Sequence, residues 1–150
     1  MIKITRTNSE NPDFIWLVKF LDLELAERDG EDTAFYSQFN KLDMIRHVVV
    51  AYENGIPLGC GAIKENGKDT MEIKRMYVSP KGRKKGIATA ILSELEKWLG
   101  ELSYTRCILE TGKRQPEAIG LYMKNGYRSI PNFGQYAGVD NSVCFEKKLK

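Results

Sequence analysis

Between residues 71 and 110 the hydrophobic period changes twice, and this limits the fold more than any other stretch. Residues 71–78 read as a strand, and Ser79-Pro80-Lys81-Gly82 as a turn. Ile87, Ala90, Ile91, Glu94, Leu95 and Trp98 then follow the 3.6 period of a helix, mostly apolar, which Gly100 is expected to end. Residues 104–110 return to strand character, with Cys107, Ile108 and Leu109 as core candidates. A strand–helix–strand succession closes as a right-handed crossover, so these two strands should run parallel.

The turn inside this unit is strongly basic. Lys81, Arg83, Lys84 and Lys85 precede Gly86, and Ile87, Ala88 and Thr89 open the helix. A helix start leaves backbone N–H groups unpaired, and the helix dipole adds positive charge there. Gly86 brings no side chain to hold an anion away. Strand, basic glycine turn and helix together form an anion cradle suited to a pyrophosphate. It is not a Walker loop, since no Gly-Lys-Ser/Thr follows, and Gly-x-Gly-x-x-Gly is absent.

Upstream, Ile2 and Ile4 alternate with polar neighbours as a short first strand would. Asn11-Pro12 predicts a capped helix with Phe14, Leu17, Val18, Leu21 and Leu25 on one face, running to about Arg28. A second short helix is expected over residues 33–39. Residues 47–53, 58–64 and 71–78 form an antiparallel run broken by Asn54-Gly55 and Asn66-Gly67. Pro116 and Asn125-Gly126 bracket another helix, and residues 142–149 alternate as a closing strand. The expected fold is α/β: one domain over residues 1–150 with a mixed sheet, antiparallel first and parallel in the middle.

A chain of 150 residues can bury one real core. Net charge +3 is too small to argue for nucleic acid, and no basic stripe with interleaved aromatics extends beyond the turn. No apolar run approaches a membrane helix, and the N-terminus lacks a signal-peptide apolar core. Cys60, Cys107 and Cys144 are widely spaced in apolar runs and read as buried reduced thiols, which points to the cytoplasm. One histidine and no Cys-x-x-Cys argue against zinc, and His47, before a Val run, reads as structural. The acidic stretch from Asp22 to Asp32 is either a solvated face or a mouth that attracts cations.

Arg83-x-x-Gly86-x-Ala88 resembles the Arg/Gln-x-x-Gly-x-Gly/Ala motif of the GCN5-related N-acetyltransferases (GNAT). Glu72-Ile-Lys-Arg-Met-Tyr-Val78-x-Pro80 resembles the strand before that motif, and Ala118-x-x-Leu121-Tyr122-x-x-x-Gly126-Tyr127 a later family segment. The resemblance spans about residues 58–127. It implies the family's acyl-CoA N-acyltransferase fold, in which two central parallel strands splay around the pantetheine arm of coenzyme A. Here the gap would lie between residues 71–78 and 104–110.

The same resemblance implies acetyl-CoA as cosubstrate and no metal. Residues Arg83, Lys84, Lys85, Gly86, Ile87, Ala88 and Thr89 would hold the pyrophosphate. Met76, Tyr77 and Val78 would hold pantetheine and the thioester carbonyl through backbone N–H groups. Glu72 stands at the position of the general base in the histone-acetyltransferase branch, and Tyr122 at that of the general acid. Gln115 replaces the family's usual asparagine. Glu110 is a reserve base beside the cleft. Asp22, Tyr36, Phe133 and Tyr136 are candidates for the acceptor wall, with Phe35 near them.

The expected activity is acetyl transfer from acetyl-CoA to a primary amine of a small molecule such as an amino acid. A homodimer is compatible with this, while nucleic acid and membrane are not expected partners. The alternatives are a protein acetyltransferase acting on a lysine or an N-terminus, a coenzyme-A-binding module without catalysis, and a nucleic-acid module built on the basic turn.

Overall fold

A computed structural model describes residues 1–30 and 45–149. The helix expected over residues 33–39, and with it Phe35 and Tyr36, lies outside the described residues. The elements are β1 (Ile2–Thr7), α1 (Pro12–Asp29), β2 (His47–Glu53), β3 (Ile56–Glu65), β4 (Thr70–Val78), α2 (Ile87–Glu101), β5 (Arg106–Gly112), α3 (Pro116–Lys124), β6 (Arg128–Ile130) and β7 (Ser142–Lys148). Among the described residues they build one seven-stranded sheet in the order β1-β2-β3-β4-β5-β7-β6. The mixed sheet of the sequence reading is therefore present, with β4 and β5 its parallel pair. The closing strand β7 inserts between β5 and β6. The three-residue β6 carries too little pattern to be read in advance.

Alternation in β2 explains the layering. Val48 and Val50 pack with Phe14, Leu17, Val18 and Leu21 of α1. Val49 and Ala51 pack with Ile87, Ile91, Leu92, Leu95 and Leu99 of α2. A strand buried on both faces reads as an unbroken apolar run. The cap at Asn11 is as expected: its side chain accepts from the N–H of Asp13 at 2.8 Å and of Phe14 at 3.2 Å. Gly100 does not end α2. The ladder continues through Leu102 N–H to Trp98 O, and Ser103, at φ 70°, takes the left-handed position instead. Cys60, Cys107 and Cys144 are free and buried, and burial pushes their thiols up to about 12, 12 and 11. His47 meets the Trp98 ring edge-on at 4.8 Å, and burial beside Arg46 lowers its pKa.

Candidate active site in the strand gap

The parallel pairing of β4 with β5 covers only three rows: Thr70 with Arg106, Met71 with Cys107 and Glu72 with Ile108. Beyond them β4 stays paired to β3 on its outer side as far as Val78, and β5 to β7 as far as Gly112. The two inner edges therefore part. Ser79 N–H bonds to Leu58 O at 2.8 Å on the β3 side. Antiparallel alternation then turns the N–H groups of Val78 and Met76 toward the gap.

A bulge refines this edge. The β3–β4 register slips between Cys60 and Ala62, and Arg75 takes φ 58°. The extra residue resets the alternation. Met71, Ile73, Met76 and Val78 pack on the α2 side, while Tyr77 packs on the α1 side. The Arg75 guanidinium also points to α1, where it is joined to Asp22, and its carbonyl accepts from Cys60 Sγ at 3.4 Å. Asp22, its own side chain 55% exposed, is joined to Arg75.

The gap widens into a cavity of about 370 Å³. Its walls bring together Glu72, Met76, Tyr77, Val78, Arg83, Ala88, Glu110, Gln115, Tyr122 and Tyr136 from the sequence-derived set. Lys84, Lys85, Gly86, Ile87 and Thr89 are not on that wall. Ile87 is a core residue, Lys85 pairs with Glu53 at 2.9 Å, and Thr89 Oγ1 accepts from Asn125 at 3.4 Å. Gly86 is the cap residue of α2 at φ 77°, a conformation that favours glycine, and the space above its Cα is open. Among the described residues, the backbone N–H groups of residues 84–89 find no backbone acceptor, as an anion cradle requires. Gly82, not singled out from sequence, is the tightly packed glycine of this turn: a Cβ there would sit 3.1 Å from Ile87 and Val78.

Tyr122 is 5% exposed, with its ring against Tyr127 and Phe145. Among the described residues no group hydrogen-bonds its hydroxyl. Burial, helped by the charge of Glu110, raises its pKa, so the hydroxyl keeps its proton at neutral pH. Burial raises Tyr136 likewise, with Glu110 and Glu72 adding to it. Phe133 is not on the cavity wall; it supports Tyr136 edge-on at 5.9 Å. Glu72 is 5% exposed, accepts from Asn66 Nδ2 at 3.2 Å and lies 3.9 Å from Lys74 Nζ.

The sequence reading missed two of the cavity's cations, Lys74 and Arg75, and the rim. Lys74 and Arg75 line the wall beside Glu72. At the rim Glu24 pairs with Arg83 at 3.2 Å and with Arg28 at 3.6 Å, and Arg28 reaches Glu117. The acidic run of α1 gave a signal, but its partners lie about 50–90 residues away, beyond the reach of local charge patterning.

The Acetyltransferase (GNAT) family model matches residues 9–127. The IAA acetyltransferase of Azospirillum brasilense is 36% identical over 104 residues, which is 67% of each chain. A solved structure from Klebsiella pneumoniae subsp. pneumoniae MGH 78578, assigned to the acyl-CoA N-acyltransferases, superposes with TM-score 0.83 at 28% identity over 100% of this chain and 99% of that one. A GNAT family acetyltransferase from Elizabethkingia anophelis, solved with acetyl-CoA bound, gives TM-score 0.71 at 19% identity over 99% and 98%. The chain belongs to the GNAT acetyltransferase family, and with it to the acetyl-CoA-dependent N-acetyltransferases.

Proposed function

We propose that this enzyme transfers the acetyl group of acetyl-CoA to the primary amine of a small molecule, an amino acid or a close analogue. The observation that carries the reading is the early end of the β4–β5 pairing. It opens a slot whose wall brings together the β4 edge, the carboxylates of Glu72 and Glu110 and the proton-bearing Tyr122. The residues present fit a coenzyme A: an unpaired N–H cradle at residues 84–89 for phosphates, the β4 edge for an extended amide arm, and Gln115 on the opposite lip.

Bound acetyl-CoA supplies the activated acetyl thioester. The chain's own groups then divide the work. Glu72 takes the ammonium proton, freeing the nitrogen lone pair. The N–H groups of Met76 and Val78 donate to the thioester oxygen as charge gathers on it. As the nitrogen–carbon bond forms and the carbon–sulfur bond breaks, Tyr122 gives its proton to the departing sulfur and is restored by the second proton that the attacking nitrogen sheds. Glu110, whose charge acts on both Tyr122 and Tyr136, holds the acceptor nitrogen at the reacting end. The test is thiol release from acetyl-CoA over a panel of amino acids, polyamines, aminoglycosides and peptides. Turnover confined to peptide lysines or N-termini would move the reading to a protein acetyltransferase, and binding of acetyl-CoA without any turnover would leave a binding module.

A further inference from the structure

We infer that the outward face of α1 is a self-association surface, which docks the same face of a second copy of this chain about a two-fold axis. Trp16, Phe20 and Leu23 point outward from α1 with 48%, 43% and 68% exposure, and none of the three is among the described residues of the cavity wall. The opposite side of the helix already buries Phe14, Leu17, Val18 and Leu21 against the sheet. One apolar stripe is what a surface helix needs to join its core, so the outward residues form a second stripe. The rings of Trp16 and Phe20 meet edge-on at 5.0 Å, and each limits the other's freedom before a partner arrives.

The charges identify the occupant. Lys19, Leu23 and Glu27 are four apart and make one ridge on the helix surface. Lys19 and Glu27 are exposed, and neither side chain has a partner among the described residues. Two helices whose i±4 ridges interdigitate cross at about −50°. In a two-fold pair centred near Leu23, that crossing lays the ridge beside its own copy, running the opposite way. Lys19 then faces Glu27 of the second copy, and Glu27 faces Lys19 of the second copy, so a single surface supplies both ion pairs. Phe20, Leu23 and Ala26, three apart, fall along the two-fold axis and meet their own copies. A lipid surface fits less well, because Asp22 and Glu27 border the face where anionic headgroups favour cations. A single helix crossing offers less than the roughly 1,600 Å² of a standard interface, so association should be weak and concentration-dependent.

The experiment is sedimentation velocity on the full chain from about 1 to 100 μM, with folding of each variant checked by circular dichroism. Wild type should pass from monomer to dimer within that range. Leu23→Glu sets two like charges on the axis and should raise the dissociation constant about tenfold or more. Lys19→Glu and Glu27→Lys each turn both ion pairs into repulsions and should also weaken the dimer, more so at low salt. An equimolar mixture of these two single variants should dimerise again, because each chain meets the opposite charge at both contacts. A wild type that stays monomeric across the range overturns the surface, and so does a dimer that Leu23→Glu leaves intact. Failure of the mixed variants to pair overturns the two-fold arrangement. A monomeric wild type that co-sediments with vesicles of phosphatidylcholine and phosphatidylglycerol gives the face to lipid and overturns the proposal as well. The measurement uses no substrate, so none of these outcomes touches the acetyltransferase reading.

Discussion

Arg28, in the last turn of α1, donates from Nη1 to Oε1 of Glu117 in the first turn of α3. One helix therefore touches both lips of the strand gap, because Glu24, one turn earlier, holds Arg83 on the other lip. Both members of the Arg28–Glu117 pair are partly exposed, so its contribution is at most about 1 kcal/mol. Glu117→Gln should lower the melting temperature by no more than about 4 °C at low salt. The difference should shrink at about 1 M salt, where screening is strong. A salt-independent loss would mean that Glu117 acts through packing.

Gly86 separates backbone strain from charge. Asp and Asn tolerate the left-handed region about equally well. Gly86→Asn should bind coenzyme A close to wild type, whereas Gly86→Asp should weaken it about tenfold or more, about 1.4 kcal/mol. Calorimetry on both folded variants decides, and equal affinities would remove the phosphates from this turn.

Tyr122→Phe keeps the ring and its contacts with Tyr127 and Phe145. Turnover should fall by roughly 10² or more while coenzyme A affinity and melting temperature stay near wild type. Full turnover, with chemistry shown to limit the rate, would defeat the general-acid role.

The two carboxylates should differ in kind. Glu72→Gln removes the proposed base and should lower kcat by about 10²–10⁴. Glu110→Gln should act mainly on the acceptor KM. A reversed pattern would make Glu110 the base.

Acid sensitivity should centre on Glu146, whose carboxylate accepts from Arg106 Nε at 2.7 Å and from Arg128 Nε at 2.7 Å. Arg106 and then Arg128 hold its pKa below the usual range. Because the folded value lies below the unfolded one, the stabilisation is complete above about pH 4.3 and is lost as pH falls through the folded value. Melting curves from pH 6 to 2.5 should show a smaller loss in Glu146→Gln than in wild type. Parallel curves would remove Glu146 from the acid response.

Legibility in the sequence followed the range of the interaction. Asn11 capping α1, the two periods flanking the basic turn, and the crossover that makes β4 and β5 parallel are local signals, and the structure has each of them. Glu72, Tyr122 and Gln115, which the family resemblance put at one site, line one cavity. What stayed hidden depends on geometry between distant residues. The bulge at Arg75 is carried by a non-glycine residue on the strand facing Gly61, and the partners of Asp22, Glu24 and Arg28 lie 53, 59 and 89 positions away. Ser103, not Gly100, takes the left-handed position after α2, because α2 runs one residue past the glycine.

The three rows that join β4 to β5 are also the only strand pairing between two half-sheets, β1–β4 and β5–β7–β6, among the described residues. Mechanically this is the spine of a book whose covers open toward the cavity. Helices α1 and α2 pack chiefly on the first cover, while Glu146 ties β5, β6 and β7 of the second through Arg106 and Arg128. A guest lying along the inner edges would couple the covers. Amide hydrogens along those inner edges should then exchange more slowly in the bound enzyme, while those of the spine change little.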